Sequence, residues 1–205
     1  MAEIEQSNAK DTLLGVLNYI DSPFKLAVVV LLAILAFSGY FVYSNQSFLI
    51  AAYDKNKSLP KIDVSKSDDV AKLLIKEANA DIVAIFEVDI MLGTRTLVRA
   101  YTKEGRDKSH DGLDVGMLSA NQDNNADLLS LYGGSIPCGS YTRAQSIIGL
   151  WYIQQGANFL CRSSMPTTPG LFAGQLTVGW KTPPENITKM QDMMAIASNM
   201  MIRKP

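Results

Sequence analysis

The chain has a single histidine, His110, and two cysteines, Cys138 and Cys161, among its 205 residues. Three such side chains fall short of the four that a Cys/His zinc site requires, so no metal site is expected. Catalytic constellations are equally scarce. His110 sits in the polar run GRDKSHDG (105–112), which reads as a loop, and Ser109 and Asp111 are only its sequence neighbours. A catalytic histidine needs a nucleophile and an orienting group arranged around it. Gly133-Gly134 lacks the lysine and hydroxyl residue of a phosphate loop and reads as a turn. Glu87 and Asp89 alternate on one face of a strand, where a solvated surface accounts for them. No catalytic residue, no cofactor and no enzyme activity is expected. A strong charge of either sign is also missing: the formal net charge is −1. A broad basic surface is excluded, and nucleic acid with it.

Charge is absent altogether from Leu26 through Ala52, which contains no Asp, Glu, Lys, Arg or His. The mean hydropathy of the whole chain, +0.06, conceals this. Eleven residues of Leu26–Val42 are Leu, Ile, Val or Phe. At mid-bilayer these favour insertion by roughly 3–6 kcal/mol in sum. A helix from about Phe24 to Ser44 would be about 31 Å long, close to the hydrocarbon thickness of a bilayer. The run is too long, and begins too far from Met1, for the apolar core of a cleaved signal peptide. The sequence therefore predicts one transmembrane helix, inserted as an uncleaved signal-anchor. Asp21 or Ser22 can cap it and Pro23 suits its first turn. Tyr40, Tyr43 and Tyr53 cluster near its far end, as interfacial aromatics do. Ala33, Ala36 and Gly39 put small side chains near one face, where a second helix could pack closely, although ordinary span composition also yields such a pattern.

This divides the chain into a tail (1–22), the span (23–44), a polar linker with Pro60 (45–66) and a folded domain (67–205). In the tail, Leu13, Leu14, Leu17 and Ile20 recur at helical spacing behind Asp11, which suggests a short amphipathic helix at the membrane surface or a frayed helix preceding the span. Lys10 and Lys25 on one side, and Lys55, Lys57 and Lys61 on the other, do not settle orientation. In the domain, a helix is expected from Ser67 to about Asn79, then strands at 81–90 and 94–102 joined at Gly93. A loop at 103–126 and a short helix at Asp127–Tyr132 follow. Further strands are expected at 146–154, 157–162 and 172–180. The last helix is expected to start at the capping box Thr182-Pro-Pro-Glu185, with Ile187, Met190, Met194, Ala197 and Met201 as a buried stripe rather than an adaptable partner surface. Asn45-Gln-Ser47 and Asn186-Ile-Thr188 match glycosylation sequons only weakly. The fold class is α/β in the broad sense (α+β): a PAS-like or profilin-like domain, with a five-stranded antiparallel sheet and flanking helices, behind one N-terminal span. Cys138 and Cys161, 23 residues apart, are either bridged or two separate buried thiols. A bridge would contribute about 3 kcal/mol and requires an oxidising compartment.

The stretch DTLLGVLNYIDSPFKLAVVVLLAILAFSGYFVYSNQSFLIAAYDKNK (11–57) resembles the membrane segment of the large single-span holins of T-even-type phages, the holin T family. The shared texture is Leu14–Leu17 before the span, an aliphatic run, and an aromatic and polar exit. Cys161, then Ala173-Gly174, Thr177 and Trp180, then a closing helix, is similar to the end of the same family's domain. The resemblance implies a protein of the host inner membrane, with a cytoplasmic N-terminus and a periplasmic domain. It implies accumulation in membrane lipid, homo-oligomerisation, sudden pore formation that releases an endolysin, and an antiholin bound by the periplasmic domain. The family's disulfide would join the cysteine before the last strand to one in the final helix. That helix has none here, which leaves Cys138 as the candidate partner of Cys161. The same architecture also suits a membrane-anchored PAS-like periplasmic sensor or assembly subunit.

Overall fold

A computed structural model describes Gly15 and residues 22–50, 60–118 and 122–203. The amphipathic segment expected at 11–20 lies outside the described residues, apart from Gly15. The chain forms two units, Met1–Lys57 and Ser58–Pro205.

In the first unit, α1 runs from Pro23 to Ser44. Ser22 caps it by accepting from the Lys25 N–H, and Pro23 occupies the first turn, where its missing N–H costs nothing. No residue of α1 is buried, and its mean hydropathy of 2.4 makes it long and apolar enough to cross a membrane. Ala33, Ala36 and Gly39 are exposed, and a Cβ added at Gly39 would meet nothing within 4 Å.

The second unit has mixed α+β structure. Its elements are β1 (Lys61–Ile62), a 3-10 turn (Val64–Lys66), α2 (Ser67–Glu77), β2 (Ile82–Asp89), β3 (Thr94–Thr102), β4 (Gly105–Asp107), α3 (Gln122–Tyr132), β5 (Cys138–Ser140), α4 (Ile147–Gln154), β6 (Phe159–Met165), β7 (Gly174–Trp180), α5 (Ile187–Met200) and β8 (Ile202–Arg203). The main sheet is six-stranded in the order β4-β3-β2-β7-β6-β5, with every neighbouring pair antiparallel. A small ladder joins β1 to β8, Lys61 opposite Arg203 and Ile62 opposite Ile202.

Both faces of the sheet are covered. One face packs Val83, Ile85, Cys161, Leu176 and Val178 against α2 and α5, through Val70, Leu74, Met194 and Ala197. The other packs Ile82, Ala84, Phe86 and Leu160 against α4, through Ile148, Trp151 and Tyr152. Double coverage explains why central β2 begins as an unbroken apolar run and alternates only from Glu87 to Asp89. Glu87 and Asp89 are the solvated pair that their spacing predicts.

Five expectations are corrected. The sheet has six strands rather than five: the strand expected at 146–154 is absent, while β4, which folds back at Lys103-Glu104 out of a segment whose polarity reads as loop, and the three-residue β5, where no strand was expected, are added. Residues 146–154 form a helix, not a strand. Their continuous apolar run carries no period, and the Ser146 hydroxyl, which accepts from the Gly149 N–H, starts a helix. The helix expected at Asp127 begins at Gln122. Lys61–Ile62 and Val64–Lys66, expected as linker, are ordered by pairing with β8 and by the Asp63 side chain, which accepts from the Ser65 N–H. The last helix starts at Ile187, capped by Asn186, not at Thr182. Thr182 and Pro183 each precede a proline and are steered away from helical backbone. Of the expected stripe, Met190, Met194, Ala197 and Met201 are buried, while Ile187 is 40% exposed.

Asp81 ties the β2 end of the sheet to its surroundings. Its carboxylate accepts from the Lys181 N–H at 2.7 Å and pairs with the Lys103 ammonium at 2.8 Å. Burial alone would raise its pKa, but these partners outweigh burial and hold it below the ordinary 3.8. The unfolded chain therefore takes up this proton first as pH falls. The stability that Asp81 contributes is complete above about pH 3.8 and is lost progressively below it. Asp81→Asn is expected to flatten the fall in melting temperature below about pH 4. An unaltered acid profile would show that the ion pair has no part in it.

Candidate functional site

Polar side chains run across the second face of the sheet, where an apolar layer would be the default. Arg95 of β3 is 5% exposed, Gln175 of β7 3% and Thr177 of β7 0%. The Arg95 guanidinium donates to Gln175 Oε1 at 2.9 Å and to Asn124 Oδ1 of α3 at 3.0 Å. It also lies over the Phe86 ring. Gln175 Nε2 donates onward to Thr177 Oγ1 at 2.9 Å. Among the described residues, Arg95 Nε and Ser164 Oγ are buried without a hydrogen-bond partner. Burial lowers the Arg95 pKa, but a guanidinium keeps its charge across the physiological range. Burial likewise raises the Tyr152 phenol, so it remains neutral.

A second arginine extends the seam. Arg162 of β6 pairs with Asp127 of α3, donates to Gln145 Oε1 at 3.0 Å, and stacks on the Tyr141 ring. The three strands β3, β7 and β6 and the helix over them are thus held by directional bonds as well as apolar contact. Such a network fixes how α3 and the 141–146 segment sit on the sheet. Spacing offered one clue to it. Gln175 and Thr177 are two apart in the strand segment FAGQLTVGW, so they share a face that should be apolar. Nothing in sequence distinguished Arg95 from half-buried Arg99.

The other sequence-predicted positions are placed as follows. Cys138 and Cys161 are directly opposite each other on β5 and β6 and are disulfide-bonded, with their Cα atoms 4.1 Å apart. Ser109 Oγ lies 2.7 Å from His110 Nδ1, but it also lies 2.6 Å from Asp107 Oδ1. The carboxylate thus holds the serine rather than the histidine, which is the reverse of a relay that activates a nucleophile. Asp107 is kept acidic chiefly by the Ser109 side chain, then by the Ser109 N–H, and it also accepts from the Trp151 indole at 2.9 Å. Gly134, with φ +79°, serves as a turn. An open hollow lies beside the disulfide edge, between α3 and α5, lined by Ser130, Ile136, Pro137, Gln191 and Asp192. Gln191 spans it, donating to the Ile136 carbonyl at 2.7 Å.

No family model and no curated protein matches the sequence. Among solved structures, the chain is similar to the GAF domain of an Acinetobacter phosphoenolpyruvate-protein phosphotransferase, at 11% identity over 65% of this chain and 76% of that one, TM-score 0.45. It is similar to the phycoerythrobilin-bound GAF domain of a cyanobacterial phytochrome, at 9% identity over 65% and 80%, TM-score 0.48. It is also similar to the GAF domain of a two-component sensor histidine kinase from Bacillus halodurans, at 14% identity over 65% and 93%, TM-score 0.44. All three scores fall below 0.5.

Proposed function

We propose that this chain is a membrane-anchored receiver, in which α1 holds the protein in a bilayer and the folded domain takes up a regulatory partner in an oxidising compartment. One observation carries this reading: a 22-residue apolar helix with no buried residue is joined to a domain with its own core and a disulfide. Water is a poor solvent for such a helix, and the reducing cytosol is a poor place for such a bond. With β4 set aside, the strand order β3-β2-β7-β6-β5 is that of a PAS-like or profilin-like plan. The hollow between α3 and α5, beside the pinned edge strand, supplies a surface for a partner. The test is protease added to spheroplasts carrying the full chain. Loss of the domain is expected. An intact domain would place it in the cytosol and end this reading.

A second reading makes the output lysis, with the protein acting as a phage holin whose receiver domain takes an antiholin. The likeness over 11–57 favours it, together with the unpartnered small-residue face at Ala33, Ala36 and Gly39. The likeness near the C-terminus argues less for lysis than for a shared fold, because those residues are structural keystones. Gly174 is closely packed on three sides, and the Trp180 indole donates to the Ala78 carbonyl at 2.9 Å. Induced expression beside a cytosolic endolysin is expected to end growth abruptly. Continued growth, even after the membrane is de-energised, would sink the lysis reading and leave the sensor or assembly role. Gly39→Leu sharpens the test. A Cβ at Gly39 meets nothing within 4 Å among the described residues, so a change in lysis onset would report a second helix at that face. The expected result is a shifted onset at equal protein level, and an unchanged onset would show the small face to be incidental.

A further inference from the structure

One end of the domain carries exposed apolar side chains on two neighbouring segments. At the β2–β3 turn Ile90, Met91 and Leu92 are 51%, 86% and 75% exposed, and Leu118 is 71% exposed. The Met117 N–H donates to the Gly93 carbonyl, which holds the Leu118 segment against the turn. Asp89 Oδ1 accepts from the Met91 and Leu92 N–H groups at 2.9 and 3.0 Å. The turn thus satisfies part of its own backbone while displaying its side chains. This matters wherever water is scarce, because unpaired N–H groups oppose entry into an apolar phase.

The chain from α1 joins the domain at this same end. Ile62 packs where a Cβ on Gly174 would lie, beside Met165, and Gly174 sits opposite Glu87 at the β2 terminus that leads into the turn. Fifteen residues, 45–59, connect Ser44 to Pro60. A lipid surface is therefore a tethered partner for this end of the domain, met at high effective concentration.

We propose that the Ile90-Met91-Leu92 turn, with Leu118, is a membrane-docking tip that enters the interfacial layer of the bilayer. The proposal rests on the reading of α1 as a span. Docking would fix the orientation of the receiver on the membrane and leave the α3–α5 hollow and the β5 edge for a partner.

The test uses the full chain in vesicles of brominated phosphatidylcholine and phosphatidylglycerol. Its own Trp151 and Trp180 are buried out of reach of bromine, and their emission, recorded from the unsubstituted chain, is subtracted so that an added tryptophan reports locally. Met91→Trp is expected to emit at shorter wavelength than Glu104→Trp, at the opposite end of β3, and to lose most of its emission to bromine while Glu104→Trp keeps its own. Equal emission from both variants, without bromine quenching, would overturn the tip. A blue-shifted Met91→Trp that bromine does not quench would also overturn it, by placing the turn against protein, such as a second copy. Alkaline carbonate reads the span separately. Retention of the chain in the pellet is expected whatever the tryptophans report, and its release would overturn the anchoring on which the tip depends.

Discussion

Cys161→Ser is expected to lower the stability of the domain by about 3 kcal/mol, the loop-closure value for a 23-residue separation. The loss should be concentrated at one edge. β5 has only three residues and pairs on one side only, with β6. The bridge joins two residues that already face each other in the ladder, so it converts a strand prone to fraying into a fixed border. Without it, β6 would present unpaired backbone to solvent, and such an edge recruits other chains. Cys138→Ser should match Cys161→Ser, and the double variant should cost no more than either single one, because all three remove the same bond. Urea unfolding of the full chain in detergent, oxidised against reduced, measures this. Equal midpoints in the two states would mean that the bridge contributes nothing to holding the fold.

Gly174→Ala is expected to cost about 3 kcal/mol, at the upper end for overpacking. A Cβ there would lie 2.6 Å from the Phe86 carbonyl oxygen, 2.7 Å from Met165 Cε and 2.8 Å from Ile62 Cγ2. The two side chains can move, but the carbonyl cannot, because Phe86 is paired with Gln175 in the centre of the sheet. Relief would require β2 and β7 to separate. Gly139→Ala, where a Cβ meets nothing within 4 Å, is the matched control and should change little. Thermal unfolding of the two variants checks the contrast. Equal midpoints for Gly174→Ala and the unsubstituted protein would show that the close approach is not a constraint.

Sequence legibility followed the physics of each element. β2 and β3 were readable because β-branched runs flank a glycine turn, and α2 because acidic residues open it and its apolar positions recur at helical spacing. α1 was readable from the absence of charge alone. α4 was not, since eight residues that are apolar on every side carry no period, and the Tyr141 hydroxyl packed against Gly149 is a tertiary contact. The candidate site was the least legible. Arg95, Asn124 and Gln175 lie 29 and 80 residues apart along the chain and meet only when β3, α3 and β7 assemble. The reach of α5 was misjudged because Thr182-Pro-Pro-Glu185 has the letters of a capping box without the backbone for one.

The pairing of β1 with β8 has a mechanical consequence. A pull on the linker acts first on the Lys61–Ile62 ladder, whose partner strand immediately follows α5. Two residue pairs resist little force, and once they part, the slack reaches Asp63, whose N–H is bonded to the Met201 carbonyl at the end of α5. The junction is thus a weak clasp placed ahead of a strong body. If α1 is held in a bilayer as proposed, tension would part this ladder and loosen the end of α5 before it disturbed the sheet.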